Sequence, residues 1–173
     1  GAQVTLLEAN GQQVNQCTFR NDGTQLITGG SDGIVRLWDV ATGQLLQEFP
    51  AYSGGIRWVG FGEDPSQFIV NTAEDIILQI DGESGAELLR AEVSGLIRGM
   101  TDATLLVSDD RIAYSLNLGD LSTRHRLSLD APIRRARVYP GVPDVLLGTE
   151  DGLVRLWDGE TGAVKRTLNI GQG

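Results

Sequence analysis

A nine-residue segment occurs twice in this chain and constrains its fold more than any other feature. Ser31–Asp39 has the sequence S-D-G-I-V-R-L-W-D, and Glu150–Asp158 has the sequence E-D-G-L-V-R-L-W-D. Each copy continues into a turn of the form Asp-x-x-Thr-Gly. The two tryptophans lie 119 residues apart, which is close to three periods of about 40 residues. A spacing of this size indicates that the chain is an array of structural repeats.

Two degenerate copies lie between the clear ones in the same register. Ile80 and Asp81 stand where Trp38 and Asp39 stand, and Leu116 and Asn117 occupy the same two positions in the third copy. A spare segment before the first copy resembles the last strand of a preceding unit. The sequence therefore predicts this extra strand at residues 3–9 and four units at residues 10–52, 53–93, 94–130 and 131–173.

Each unit contains four short strand candidates separated by turn residues. In the first unit the turns are Asn21-Asp22-Gly23 and Ser31-Asp32-Gly33, which are strong signals for tight hairpins. The 23 glycines of the chain fit many such turns. No segment of twelve or more residues holds a helical stripe of apolar residues. The predicted fold class is therefore all-β, with four-stranded antiparallel units.

Four strands in each unit, with Trp-Asp ending the third strand, resemble the repeats of the WD-repeat β-propeller family. The resemblance covers nearly the whole chain and is most specific in the first and fourth units. It implies that each unit is a propeller blade whose first strand lines a central channel. Stacked blades bury both faces of each sheet, which an isolated four-stranded sheet cannot do.

The family's hydrogen-bonded tetrad of His, Ser or Thr, Asp and Trp is incomplete in every unit. The first unit has Thr28, Asp32 and Trp38, but Asn10 where the family has its His. The fourth unit keeps its Asp and its Trp but has Leu147 at the Ser or Thr position. Since buried polar groups must be paired or absent, we expect these blades to rely on apolar packing instead.

Four blades are few for a family that usually closes its ring with about seven. We expect a segment of a larger propeller, whereas a closed four-bladed ring or two chains that complete an eight-bladed ring are the alternatives. An unclosed array exposes apolar faces and strand edges, which need a partner to cover them. A homodimer or association with further blades would provide that partner.

Little in the sequence indicates catalysis. The single histidine, His125, lies on an outer-strand candidate where we expect it to be exposed, and no Cys/His cluster could bind zinc. Acidic pairs fall in turns, where Asp favours local backbone hydrogen bonds. The Asp-x-x-Thr-Gly turns also resemble quinoprotein-like propellers, but the tryptophan that follows Thr-Gly in that family is missing. We expect a non-enzymatic chain without cofactor or metal, with a quinoprotein-like or other enzymatic propeller as the alternative.

One group of residues indicates a role other than stabilising the fold. The first strands of units two, three and four begin with Ile-Arg, at Arg57, Arg98 and Arg134, and the family places this position near the mouth of the channel. With Tyr52 in the preceding loop, these residues are the predicted binding site for a protein partner, because Arg is a frequent binding anchor. In the opposing interpretation each Arg pairs locally and the blades are a structural spacer in a multidomain protein. Simple alternation places Arg57 on the face of Val59, which counts against an Arg that faces the channel.

The charge of the chain limits its partners. The net charge is −9, from 23 acidic against 14 basic residues. Phosphate-rich surfaces require clustered positive charge, so we expect no general nucleic-acid or membrane binding. A single cysteine, Cys17, and no visible signal peptide favour a cytoplasmic location.

Overall fold

Every regular element of the structure is a β-strand in the part of the chain that it describes. The structure is a computed structural model that describes residues 13–49, 52–101, 103–138 and 142–170. Sixteen strands form four separate four-stranded sheets, and within each sheet neighbouring strands are consecutive in the chain and antiparallel. The predicted all-β class with four WD-like repeats is confirmed. The extra strand predicted at residues 3–9 lies outside the described residues.

The strands follow the repeat, and each ends close to the turn residues that predicted it. Sheet I contains β1 (Val14–Phe19), β2 (Gln25–Gly30), β3 (Val35–Asp39) and β4 (Leu45–Phe49). Sheet II contains β5 (Ile56–Phe61), β6 (Gln67–Thr72), β7 (Ile76–Asp81) and β8 (Glu87–Glu92). Sheet III contains β9 (Leu96–Met100), β10 (Thr104–Asp109), β11 (Ile112–Asn117) and β12 (Thr123–Ser128). Sheet IV contains β13 (Ile133–Val138), β14 (Asp144–Thr149), β15 (Leu153–Asp158) and β16 (Val164–Asn169).

The chain divides into two compact units, Gly1–Glu92 and Val93–Gly173. The first contains sheets I and II, and the second contains sheets III and IV. In the first unit, side chains from facing sides of the two sheets form one core, in which the rings of Phe49 and Phe68 meet edge to face with centroids 4.5 Å apart. The other buried members of that core are Ile27, Val35, Ile56, Val59, Phe61, Val70, Leu78 and Ile80.

The second unit has an equivalent core between sheets III and IV. Its largest side chain is Trp157, which is fully buried. The remaining buried members are Leu106, Ala113, Ile133, Ala136, Val145 and Leu147. Because complete burial of one aliphatic or aromatic side chain stabilises a fold by about 1.5–3 kcal/mol, these two cores are the main source of stability within each unit.

The strand register confirms how the degenerate copies align. Leu26 pairs with Trp38 across β2 and β3, and Phe68 pairs with Ile80 at the matching place in sheet II. In sheet III, Leu105 pairs with Leu116. The irregularity that each third strand makes with its fourth strand also falls directly before Trp38, Ile80, Leu116 and Trp157. The apolar residues Ile80 and Leu116 therefore occupy the tryptophan position.

Among the described residues, two turns place a residue other than glycine in the left-handed backbone region. Asp75 has a φ of 61° where the equivalent turn residues of sheets I and IV are Gly33 and Gly152. Leu121 has a φ of 55° at the position that is glycine in the other three sheets. A non-glycine residue costs about 1–2 kcal/mol in this region, so the surrounding sheets must stabilise both turns.

Candidate binding surface on the first strands

Every first strand carries a β-bulge, and in β5, β9 and β13 the bulged residue is the arginine of the Ile-Arg pattern. The register with the second strand shifts at Asn15, Arg57, Arg98 and Arg134. A bulge leaves one residue unpaired and re-aims its side chain. Simple alternation along β5 therefore does not determine where Arg57 points, which was the main objection raised from the sequence.

The three bulged arginines have different local partners. Arg57 forms an ion pair with Asp75, and Arg134 forms one with Glu150. Arg98 has no carboxylate partner among the described residues, and its Nε donates a hydrogen bond to Ser108 Oγ over 2.8 Å. Local pairing, the alternative that the sequence left open, is thus present at two of the three positions.

Tyr52 lies half-buried against the core of the first unit. Its backbone N–H donates to the carbonyl oxygen of Gly33 over 2.8 Å. A Cβ at Gly33 would stand 2.0 Å from the Tyr52 carbonyl oxygen, so only glycine fits this approach. Burial, and then the nearby negative charge of Glu87, raise the pKa of the Tyr52 hydroxyl. The backbone of Tyr52 therefore holds its loop against the turn of sheet I.

A second group of arginines, at Arg98, Arg135 and Arg137, lies within the second unit. The bulge of β9 sits two residue pairs nearer its hairpin turn than the bulges of the other first strands. Ala136 and Val138 of β13 pack onto the core shared with sheet III, so the alternating Arg135 and Arg137 lie on the other face of that strand. Burial lowers the pKa of the Arg98 guanidinium, and repulsion from Arg135 and Arg137 lowers it further. The sequence already shows Arg135 and Arg137 next to Arg134, whereas the offset of the β9 bulge has no residue-type signal and is visible only in the strand register.

The tetrad positions show how the Trp motif is held in each unit. Trp38 Nε1 donates to Thr28 Oγ1 over 2.9 Å, and both side chains are buried. Trp157 is equally buried, but its Nε1–H has no hydrogen-bond acceptor among the described residues. Leu147 is paired across the sheet with Arg155 just as Thr28 is paired with Arg36, so it occupies the Thr28 position. The expected reliance on apolar packing therefore holds for Trp157 but not for Trp38.

The Asp-x-x-Ser/Thr-Gly turns use their aspartates as local hydrogen-bond acceptors. Asp39 Oδ1 accepts from the hydroxyl and the backbone N–H of Thr42, each over 2.7 Å, and these bonds lower the pKa of the Asp39 carboxyl. Asp158 accepts from the backbone of Thr161 and faces Lys165 at 2.9 Å. The Thr161 backbone bond, followed by the Lys165 contact, lowers the pKa of Asp158 to about 2. These carboxylates serve to build turns.

The fourth strand of one sheet reaches the turn of the next sheet within each unit. His125 Nε2 lies 2.7 Å from the Glu160 carbonyl oxygen, and Gln47 Nε2 donates to the equivalent Glu83 carbonyl oxygen over 3.3 Å. The expectation of a simply exposed His125 is therefore too coarse, because the imidazole is half-buried against the turn at Gly162. Its role here is an inter-sheet contact.

The described residues offer neither a metal site nor a membrane-spanning helix. Across the described ranges, no group of three or more His, Cys, Asp and Glu side chains is arranged to hold a metal ion. The same residues include no helix with the length and apolar character required to cross a membrane.

Comparison with known proteins identifies the repeat. The family model described as WD domain, G-beta repeat matches residues 1–39. The DENN domain and WD repeat-containing protein SCD1 of Arabidopsis thaliana is 26% identical over 170 residues, which cover 95% of this chain and 14% of that protein. Mitochondrial division protein 1 of Vanderwaltozyma polyspora is 30% identical over 162 residues, 83% of this chain and 20% of that protein. Actin-interacting protein 1 of Drosophila melanogaster is 26% identical over 173 residues, 92% of this chain and 28% of that protein.

The chain belongs to the WD-repeat β-propeller family, as its repeats, sheets and relatives together show. It spans less than a third of the length of each of the three relatives described above.

Proposed function

We propose that this chain is a non-catalytic platform for protein–protein interaction that binds a partner through Arg57, Arg98, Arg134 and Tyr52. The observation that carries the proposal is that a β-bulge falls on each of the three arginines, because bulges re-aim side chains and occur next to functional sites. Arginine at three of the four bulges offers planar donor groups suited to carboxylate recognition.

The relatives support a role in protein assembly. One is named as an actin-interacting protein, and others are named as factors of pre-mRNA and pre-rRNA processing. By analogy, the partner of this chain is a protein. The proposal includes a cytoplasmic location, because Cys17 is an exposed free thiol and such thiols are typical of reducing compartments.

A charge-reversal experiment tests the binding site. The triple variant Arg57→Glu, Arg98→Glu and Arg134→Glu should lose proteins that the unmodified chain captures from a cell lysate, as identified by mass spectrometry. The matched control reverses Arg90, Arg124 and Arg166 of the fourth strands, which gives the same change in net charge. If the first-strand variant captures the same proteins as the control, the proposed binding site is wrong.

A purely structural spacer is the second candidate, and the ion pairs of Arg57 with Asp75 and of Arg134 with Glu150 favour it. In that case the arginines are already neutralised and only stabilise their turns. The same triple variant separates the two candidates, since a spacer loses stability on charge reversal but keeps any proteins that bind elsewhere.

We also propose that residues 10–52, 53–93, 94–130 and 131–173 act as blades of a ring completed by other blades or by a second chain. Light scattering over a concentration series tests this. A stable species near twice 18.6 kDa supports two half-rings, and polydisperse association supports missing blades. A monomer that unfolds cooperatively would contradict the need for completion.

A further inference from the structure

Sheet IV exposes an apolar face whose equivalents in the other sheets are buried. Leu146 and Leu168 are 47% and 55% exposed, and Val154, which lies between them in the sheet, is partly exposed. These three residues are the open face of sheet IV. The strand register makes them equivalent to residues that sheet I buries against sheet II, namely Ile27, Val35 and Phe49. The open face of sheet IV therefore has the composition of a face that another sheet covers.

A glycine within this face leaves room for a further sheet. In sheet I, a Cβ at Gly29 would stand 2.4 Å from Ile56 Cγ2, because sheet II approaches closely there. Gly148 has the same register position in sheet IV. The nearest atoms to a Cβ at Gly148 belong to Arg135 of its own sheet, at 3.9 Å, so its described neighbours do not require a glycine. The close approach of another sheet would require one.

A polar position on the same side of β13 also matches a formed contact. In sheet I, Thr18 Oγ1 donates to a backbone carbonyl oxygen of β5 over 2.8 Å. Arg137 has the position of Thr18, since it pairs with Leu146 as Thr18 pairs with Ile27. The Arg137 side chain is exposed and has no acceptor among the described residues. It can therefore donate to the backbone of a sheet that covers this face.

Sheet I exposes the complementary face. Phe19 and Val14 are 59% and 45% exposed, and Cys17 is also exposed. These three residues are the open face of sheet I. Their equivalents in sheet II, which are buried against sheet I, are Ile56, Val59 and Phe61. Their equivalents in sheet IV, which pack into the core shared with sheet III, are Ile133, Ala136 and Val138. The same positions thus form both described interfaces between sheets.

The distribution of charge favours contact between unlike units of two copies. Residues 1–92 contain 13 acidic and four basic residues, whereas residues 93–173 contain ten of each. The net charge of −9 therefore lies entirely in the first unit. Two first units would repel each other, but the neutral second unit, with Arg135 and Arg137 beside its open face, can approach the first unit of another copy without this repulsion.

We propose that the open face of sheet IV binds the open face of sheet I of a second copy of this chain. The packing of sheet I on sheet II is the template, so Gly148 faces Val14 of the second copy, and Arg137 donates to the backbone of its β1. Each copy carries one face of each kind, and two copies can therefore form two such contacts around a two-fold axis.

This inference rests on the proposed completion of the ring by a second chain, and it names the faces that meet. A dimer that forms through other surfaces would overturn the inference and leave that completion standing. A chain that stays monomeric at every concentration would overturn both. The platform role of Arg57, Arg98, Arg134 and Tyr52 is tested separately, by protein capture.

The Cys17 thiol reports directly on the open face of sheet I. Its equivalents Val59 and Ala136 are buried in the described interfaces, so binding of a second copy should bury the thiol too. The rate of Cys17 alkylation by N-ethylmaleimide should fall at least about tenfold across a concentration series over which light scattering shows the dimer forming. An alkylation rate that is the same for monomer and dimer would overturn the proposal.

Two substitutions then remove one face each. Gly148→Val fills the space that the second copy needs, and Phe19→Asp places a charge in the other face. Each should raise the dissociation constant of the dimer at least about tenfold. The controls are Gly119→Val, in an exposed turn with nothing within 4 Å of an added Cβ, and Leu46→Asp, at an exposed apolar residue of β4. Both controls should dimerise within about twofold of the unmodified chain.

A mixture of the two interface variants tests the pairing of unlike faces. A Gly148→Val chain keeps its sheet I face, and a Phe19→Asp chain keeps its sheet IV face, so a mixed pair has one intact contact whereas neither variant alone has any. An equimolar mixture should therefore recover a species near twice 18.6 kDa at concentrations where each variant is monomeric. Failure of the mixture to recover this species, or an equal loss of dimer in the controls, would overturn the proposal.

Discussion

The two Val-Arg-Leu-Trp-Asp segments share their sequence but not their interactions. In sheet I, Trp38 donates to Thr28, and Arg36 is buried between Asp32 at 2.9 Å and Glu48 at 2.7 Å. In sheet IV, the indole N–H of Trp157 is buried without an acceptor among the described residues. The same five letters therefore support a polar network in one sheet and mainly apolar packing in the other.

The difference originates at the residues paired across from the motif. Where sheet I has Thr28, sheet IV has Leu147. The polar contacts of Arg155 in sheet IV lie instead at the turn, where Arg155 donates to Thr149 over 2.8 Å and faces Asp151. In sheets II and III an aliphatic residue replaces the tryptophan, and the residues equivalent to Thr28 are Val70 in sheet II and Val107 in sheet III. Both members of the pair are thus apolar there, whereas Trp157 keeps a buried N–H without a partner hydroxyl among the described residues.

Removal of the motif arginine should show the largest contrast. Arg36→Met leaves Asp32 and Glu48 without their shared cation and should destabilise the fold by about 3 kcal/mol, since breaking a buried ion pair is costly. Arg155→Met should cost about 1 kcal/mol, because Arg155 is more exposed and its Asp151 contact is longer, at 3.6 Å. Urea denaturation, with hydrogen exchange to assign the loss to a sheet, checks both values.

The exposed Arg166→Met variant is the control for these two substitutions and should change stability by less than about 0.5 kcal/mol. Equal losses for Arg36→Met and Arg155→Met would contradict the view that only sheet I depends on a buried ionic network.

The turn after the third strand can be compared in sheet III as well, although this sheet lacks the Trp-Asp motif. Leu121 is buried, at 3% exposure, although its backbone is left-handed. Leu121→Gly should remove the strain of the left-handed backbone, about 1 kcal/mol, but it also loses the larger stabilisation that comes from burying the leucine side chain. The net result should be a destabilisation of about 2 kcal/mol. Gly85→Ala, at the equivalent turn of sheet II, should destabilise by about 1 kcal/mol for the backbone reason alone. A stabilised Leu121→Gly variant, measured by thermal unfolding, would show that backbone strain outweighs packing there.

Acid titration distinguishes the two Trp-Asp aspartates. The pKa of Asp158 is held at about 2, below its ordinary 3.8, first by the Thr161 backbone bond and also by Lys165. Its carboxylate therefore stabilises the fold fully above pH about 4, and this contribution is lost as the pH falls through about 2. Asp158→Asn should be less stable than the unmodified chain at pH 7, and the difference should shrink as the pH is lowered from 4 to 2.

Asp39→Asn should show the same direction with a smaller difference, because the pKa of Asp39 is lowered by Thr42 and Ala41 hydrogen bonds without a facing cation. Urea midpoints measured from pH 2 to pH 7 give both curves. A difference at Asp158 that stays constant over this range would be inconsistent with a carboxylate role.

Much of the fold was predictable because its signals are local. Asn-Asp-Gly and Ser-Asp-Gly turns limit the strands of sheet I, since β1 ends at Phe19 and β2 ends at Gly30, next to these turns. The register of Ile80 and Leu116 also followed from the turns beside them. Such features depend on a few neighbouring residues, which a single sequence displays directly.

The site was harder to predict because it depends on register between strands. Arg57, Arg98 and Arg134 could be singled out as a pattern, but the bulge that re-aims them leaves no residue-type signature. The two-pair offset of the β9 bulge is visible only in the paired strands. Leu147 at the Ser or Thr position indicated that Trp157 would lack a partner hydroxyl. That its indole N–H is buried without an acceptor among the described residues is visible only in the packed core.

Paired Trp→Phe substitutions test the contrast between the two motifs most directly. Both remove similar apolar area, but Trp38→Phe also breaks the hydrogen bond to Thr28, whereas Trp157→Phe removes a buried donor that has no acceptor among the described residues. Trp38→Phe should therefore cost about 1 kcal/mol more in free energy of unfolding than Trp157→Phe, and this excess should vanish in a Thr28→Val background. Equal costs for the two substitutions, or an excess that persists with Val at residue 28, would contradict the account.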